Sequence, residues 1–368
     1  MKKIYFVIAL SFAALNIFAQ QPTFTIEKNN AASSVKDQGK TGTCWCFSST
    51  ALVESELLQK NEPDADLSET FTVYNLFLDK AEKYIRRRGD TRFSEGGIEQ
   101  DMLYSTDTYG AMPQSVYPGD GKERVVSKEA SLQNMIKGYL DRVLKNNRDT
   151  IPSDWEDSVK IILNNSIGTP PATFTYNGKT YTPKTYAAEN VSVKLSDYIG
   201  LTSFTHHPYY TNFAMEVPDN YNSNMFYNLP LNEFMAAIKQ AIMNGYTIAW
   251  DADISNKGFR QRVGVAKWVN SPDDAKAFLT FTEKAPDAAI RQKLFDDQVT
   301  QDDHLMQITG LAKDSNGNEY FIVKNSWGKV GPYDGYIYVS MPYFEINTIS
   351  VLINKSALPK DLTVKAAL

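Results

Sequence analysis

Two apolar runs late in the chain, Leu305–Ala312 and Glu319–Lys324, are joined through Ser315-Asn316-Gly317-Asn318. Asn-Gly tolerates the positive φ that a tight two-strand turn requires, so a β-hairpin is expected here. A hairpin returns its chain to where it began. His304, at the start of the first strand, and Asn325, just past the second, must therefore come back near each other. An Asn amide oxygen accepting from one ring nitrogen fixes the tautomer and frees the other nitrogen for chemistry. Trp327, two residues further on, is placed to shield that hydrogen bond from water.

The free nitrogen needs a target, and the chain holds two cysteines, Cys44 and Cys46. They stand too close in sequence for an unstrained bridge, so both are expected as free thiols. From Cys44 to Lys60, the residues Cys46, Thr50, Val53 and Leu57 recur at helical spacing, with Thr43 as the N-cap. Cys44 then lies in the first helical turn, where the partial positive charge of the helix end favours a thiolate. Cys46 falls on the apolar stripe and reads as a small core hydrophobe. Acyl transfer to sulfur creates an oxyanion. The N–H of Cys44 is one donor for it, and the side-chain amide of Gln38, six residues earlier, is a second.

Elsewhere the pattern is mixed. Helices are expected over Ser68–Arg88, Ile98–Tyr109, 128–147, 153–164 and Leu231–Asn244, with Gly96-Gly97 as a turn. The Tyr/Thr-rich stretch Ala172–Val193 and the apolar run Tyr246–Trp250 read as strands, and 205–230 as loop. The 42% apolar and 22% charged residues exclude a disordered or coiled-coil chain. With a net charge of −5 and no long basic block, no nucleic-acid partner is expected.

Lys2-Lys3, the apolar run Ile4–Phe18 and Ala19-Gln20 read as a signal peptide over 1–19, so export to the periplasm or beyond is expected. That run is shorter than the ~20 residues that span a bilayer, and no stable membrane insertion is expected. A zinc site drawn from Cys44, Cys46 and His206-His207 lacks ligand spacing, so neither metal nor organic cofactor is implied.

Gln38-Gly39-Lys40-Thr41-Gly42-Thr43-Cys44-Trp45-Cys46-Phe47-Ser48 resembles the active-site segment of papain-like cysteine peptidases. Asp303-His304 and Asn325-Ser326-Trp327-Gly328, followed by Gly335-Tyr336-Ile337, are similar to that family's other two blocks. Cys44 and His304 are 260 positions apart, against roughly 130–150 in papain relatives. Such an insertion, with Leu67-Ser68-Glu69, Tyr117-Pro118, Gly168-Thr169-Pro170-Pro171 and His207-Pro208-Tyr209-Tyr210, resembles the subgroup of bleomycin hydrolases and bacterial aminopeptidase C.

The resemblance implies an α+β papain-like fold of two lobes: a helical lobe over about 44–120 and a β-rich lobe over about 231–359. An insertion over about 121–230 separates them, and the peptidase domain as a whole spans 20–359. It implies Cys44 as nucleophile, His304 as base then acid, Asn325 as orienter, Gln38 as oxyanion donor and Trp327 as support. Gly96 and Gly97 would offer backbone to an extended peptide substrate. In relatives a C-terminal tail lies in the cleft and its carboxylate holds the substrate's amino group. Residues 360–368 and the carboxylate of Leu368 would do so here, although the tail sequence differs. Relatives also form hexameric rings, which implies a homo-oligomer. The expectation is thus an exported aminopeptidase working through a thioester. The alternatives are an open-cleft endopeptidase or a catalytically silent binding protein on the same fold.

Overall fold

The computed structural model describes residues 22–60, 66–119, 131–147, 150–360 and 362. The proposed signal peptide and most of the tail, Leu368 included, lie outside the described residues. In chain order the first elements are β1 (Phe24–Asn29), α1 (Cys44–Gln59), α2 (Glu69–Arg86), α3 (Glu99–Tyr109), α4 (Leu132–Asn146) and α5 (Trp155–Ile167). Then come β2 (Phe174–Tyr176), β3 (Lys179–Tyr181), α6 (Pro183–Tyr186), β4 (Tyr198–Thr202), β5 (Asn212–Ala214), β6 (Met225–Asn228) and α7 (Leu231–Met243). The last group is β7 (Ile248–Ala252), β8 (Phe259–Arg260), β9 (Val265–Ala266), α8 (Pro272–Lys276), α9 (Ala288–Asp296), β10 (His304–Asp314), β11 (Glu319–Lys324), β12 (Tyr336–Ser340), α10 (Met341–Asn347) and β13 (Thr348–Asn354).

The fold is α+β. Helices α1 to α5 share one apolar core with Trp45, Phe71, Leu76, Leu140 and Leu163. A second core, with Trp250, Ile308, Phe321 and Phe344, lies on the far side of the main sheet. Side chains alternate across a strand, and β7 serves both cores: Ala249 belongs to the helical side, and Ile248 and Trp250 to the other.

β10 is the hub of the sheet. It pairs antiparallel with β7 over His304–Ile308, with β11 over Gln307–Lys313 and with β1 over Gly310–Asp314. The hairpin read from Asn316-Gly317 is thus present, with Gly317 at positive φ.

Helix α1 is fixed onto this hub by polar bonds inside the core. Ser48 Oγ donates to the Met306 carbonyl at 2.6 Å. Gln307 Nε2 reaches the Ala51 carbonyl at 2.9 Å, Ser55 Oγ at 2.7 Å and Thr247 Oγ1 at 3.0 Å. A buried amide left without partners costs about 1–3 kcal/mol, so these bonds hold helix and strand in one register.

Three sequence readings differ from what the structure shows. Thr43 stands at the N-cap of α1, but its hydroxyl pairs with Thr41 Oγ1 at 2.6 Å and does not cap the helix. The stretch Ala172–Val193 is strand only as far as Tyr181. Thr182 then accepts from the Thr185 N–H with Pro183 at the first helical position, a start signal that turns the chain into α6 and a π turn over Ala187–Val191. Segment 205–230 is not all loop, because β5 and β6 pair with each other and β6 runs parallel to β4. β4 in turn pairs with β13, so strands from the 121–230 segment extend the main sheet. Short strands with polar neighbours are stabilised by these partners rather than by their own pattern.

Candidate active site

The site is assembled from four stretches of chain. His304 opens β10, and its Nε2 lies 2.8 Å from Oδ1 of Asn325, one residue past β11. The same oxygen accepts from the Ser326 N–H at 2.7 Å. Trp327 stacks on the imidazole with centroids 4.7 Å apart and planes at 28°. The His304–Asn325 pair is buried, so water does not compete for the bond.

Segment 36–38 runs antiparallel to 326–328. Gln38 N–H donates to the Ser326 carbonyl, and Gly328 N–H to that of Lys36. Gln38 Oε1 accepts from Ser326 Oγ at 2.6 Å, and its Nε2 donates to the Thr41 carbonyl at 2.8 Å. Both ends of the amide are thus fixed, and one of its two N–H groups is used by Thr41.

Cys44 begins α1 and is buried. Its sulfur accepts from the backbone N–H groups of Trp45 and of Leu305, the residue after His304. That second bond carries the thiol to the imidazole's strand. Burial pushes the Cys44 pKa up to about 12, with Asp302 and Asp219 also opposing the anion and the two N–H donors favouring it. Burial likewise pushes His304 down to about 4 against the opposing hydrogen bond with Asn325. The helix end alone does not outweigh this desolvation, so burial disfavours both the thiolate and the imidazolium. Cys46 is fully buried in the helical core, with Sγ 3.6 Å from the Glu69 carbonyl, and burial keeps it protonated.

Gly96 and Gly97 lie against the start of α1. Trp45 Nε1 donates to the Glu95 carbonyl at 2.9 Å, and Gly42 N–H to Glu95 Oε2 at 2.7 Å. A Cβ at Gly96 would meet Asp219 Oδ2 at 1.8 Å, so the close approach that glycine permits is made by this chain's own carboxylate. Asp219 is held there by Ser94 Oγ at 2.8 Å and Arg92 Nε at 3.1 Å. The Gly96 carbonyl accepts from the buried Lys80 ammonium.

The structure therefore brings Cys44, His304, Asn325, Trp327, Gln38 and the Gly96-Gly97 turn together. Sequence reasoning missed several of their neighbours. Gln261 Oε1 accepts from Asn325 Nδ2 at 3.0 Å, fixing the amide that faces His304. It sits in Arg260-Gln261-Arg262, which carries no local motif. Asp302 and Asp251 are close enough to oppose the Cys44 thiolate, and Glu99 lies near Asp251. Asp251 stands just past the Tyr246–Trp250 run read as a strand, and Glu99 lies within a helix start.

A thiol at a helix mouth, beside an amide-oriented imidazole under an indole and between a helical and a β-rich core, defines a papain-type cysteine peptidase. The comparisons agree. The chain belongs to the Peptidase C1-like family, whose profile matches residues 90–367, and the Papain family cysteine protease profile matches residues 22–151. Aminopeptidase C of Lactobacillus delbrueckii subsp. lactis is 24% identical over 93% of this chain and 83% of its own length. Bleomycin hydrolase of Mus musculus is 21% identical over 89% of this chain and 81% of its own. The crystal structure of PepW from Lactobacillus rhamnosis HN001 superposes with a TM-score of 0.71 at 20% identity, covering 93% of this chain and 84% of that one. Among the described residues no helix is long and apolar enough to cross a membrane.

Proposed function

We propose that the chain is an exported cysteine aminopeptidase that releases N-terminal residues through a thioester on Cys44. The observation that carries this reading is the His304–Asn325 hydrogen bond under Trp327, on the strand whose next N–H touches the Cys44 sulfur. The aminopeptidase names of the relatives support the exopeptidase part, and Lys2-Lys3 with the Ile4–Phe18 run supports export.

In this mechanism His304 Nδ1 takes the thiol proton as Cys44 Sγ attacks the scissile carbonyl. The oxyanion is met by the Cys44 N–H and the remaining N–H of Gln38. His304 returns the proton to the leaving amine, and the thioester forms. Water, deprotonated by the same imidazole, then releases the N-terminal residue and restores the thiol. Burial that disfavours separated charges makes the orientation of His304 by Asn325 decisive, because the proton moves only along an aligned path.

The test compares free and N-acetylated peptides. Hydrolysis of the free form only, lost in Cys44→Ala and blocked by a thiol-directed peptide epoxide, is the expected result. Equal cleavage of both forms would make it an endopeptidase, and no labelling of Cys44 would make it a binding protein. Export is checked by the mature N-terminus recovered after cell fractionation. Assembly into a homo-oligomer is checked by light scattering.

A further inference from the structure

Outside the catalytic set, two consecutive histidines face one carboxylate. His206 and His207 precede β5, and Glu216 follows it. A turn over 208–211, with Tyr210 at positive φ, brings the chain back so that Glu216 meets both rings. His206 Nε2 lies 3.2 Å from Glu216 Oε2, and His207 Nε2 lies 2.6 Å from Glu216 Oε1. One ligand atom from each of the three residues lies within 4.8 Å of the others. Cys44 and Cys46, the partners that the sequence suggested for this histidine pair, belong to the helical core instead. The third group is Glu216, nine residues after His207.

Both imidazoles are held in place by groups other than Glu216. His207 stacks on Phe213 with centroids 4.1 Å apart and planes at 25°. His206 meets Phe213 edge-on at 5.6 Å and stacks on Phe295 at 5.8 Å. Those two phenyl rings belong, with Phe204, to one small buried core. The buried Asn228 amide donates to the Phe204 carbonyl at 2.8 Å and to the His207 carbonyl at 3.0 Å. From α9, the buried Gln292 Oε1 accepts from the backbone N–H groups of Thr205 and His206. The same amide lies against His206 Nδ1, with Oε1 at 3.2 Å and Nε2 at 3.0 Å. Nδ1 therefore has a partner in either tautomer. Accepting from the amide nitrogen, it leaves an Nε2–H to bond Glu216. Donating to the amide oxygen, it turns the Nε2 lone pair toward the carboxylate, and two such acceptors repel unless a proton or a cation lies between them.

Zinc bonds to nitrogen and oxygen of about 2.0–2.2 Å put neighbouring ligand atoms of a tetrahedral centre about 3.3 Å apart. The His206–Glu216 separation already matches, and the His207 contact opens by under about 1 Å as the exposed Glu216 side chain turns. Imidazole and carboxylate donors suit zinc and its transition-row neighbours, and the exposed side of the group leaves a position for water. We infer that His206, His207 and Glu216 bind one divalent transition-metal ion, with Gln292 setting the His206 tautomer from behind. Its place in the chain gives the ion a structural role. Beyond Glu216 the chain runs to Asp219, whose carboxylate stands over Gly96 in the active site. It then reaches Asn222 and Asn224, whose amides donate to the Asp101 carboxylate at 3.1 and 3.0 Å. The metal ties the start of this segment to α9 through His206 and Gln292, and so clamps the stretch that borders the catalytic site. The clamp is independent of which peptides the enzyme accepts.

Calorimetric titration of zinc into the full chain, purified without an affinity tag, is expected to show one site per chain. His206→Gln, His207→Gln and Glu216→Gln should each weaken binding at least tenfold, and melts without metal check that each variant is folded. At roughly a hundred times Kd, zinc should raise the Tm of the wild type by about 4 °C, and that of the variants by about half as much or less. Cobalt in place of zinc should give a ligand-field spectrum without the charge-transfer band of a bound thiolate. Hydrogen exchange over residues 215–224 should slow on adding zinc in the wild type and far less in Glu216→Gln. A Kd in the millimolar range, or binding unchanged in all three variants, overturns the site. Binding that shows a thiolate band and vanishes in Cys44→Ala places the ion on the catalytic sulfur and overturns it equally. Exchange over 215–224 that zinc leaves unchanged overturns the clamp.

Discussion

Asn325→Ala removes the acceptor of His304 Nε2 and of the Ser326 N–H and leaves Gln261 Oε1 without its donor. The imidazole is buried, so its Nε2–H finds no water in exchange. A buried donor left unpaired costs about 1–3 kcal/mol. Where that energy had been aligning the ring for proton transfer, each 1.36 kcal/mol is a tenfold loss. The expected fall in kcat is therefore about 5- to 150-fold, with KM little changed, since the substrate is not touched. The pH profile moves as well. Burial holds His304 at about 4 and the bond to Asn325 opposes that lowering, so its removal takes the pKa further down. The acidic limb of kcat/KM should shift toward lower pH. Stopped-flow acylation of Cys44 with a free aminoacyl ester, run from about pH 2 to 9, reads both effects. A loss under twofold, or one carried wholly by KM, would refute the orienting argument.

Gln261→Ala should give a smaller kcat loss than Asn325→Ala. The double variant should be no worse than Asn325→Ala alone, because both act through one imidazole; additive losses measured in that cycle would separate the two residues. Gln38→Ala removes an oxyanion donor, and kcat is expected to fall about 100- to 1000-fold at constant KM in the same acylation assay. Glu99 is held up to about 8, first by burial, so between its unfolded pKa near 4.3 and about 8 the folded state binds the extra proton. Its contribution to stability is fully present below pH 4 and is lost as pH rises toward 8. Thermal melts of Glu99→Gln at pH 5 and pH 8 should accordingly lie closer together than those of wild type.

Much of the site was legible because its signals are local. Cys44 is readable from the stripe that α1 buries, and His304 with Asn325 from the Asn316-Gly317 turn that folds β10 onto β11. Gln261 was invisible because its partner lies 64 residues away and an isolated glutamine has no period to betray it. Asp251 escaped notice because the apolar run as read ends at Trp250, and a strand pattern reports which face a residue takes but not what waits there. The helix α6 was missed because Thr182-Pro183 interrupts a Tyr/Thr-rich stretch whose strand propensity had been read past its end.

By itself, the sequence determined the elements whose own periodicity and turn chemistry suffice, and with them the nucleophile, the base and the residue that orients it. Tertiary structure alone decided the charge around them. It carried Glu99 from α3 and Asp302 from the approach to β10 to the neighbourhood of Asp251 on β7, and Asp251 to that of the sulfur. The reason is physical: helix and strand patterns arise from neighbours along the chain, whereas a pKa and a binding pocket arise from whatever folding places within a few ångströms, however distant in sequence.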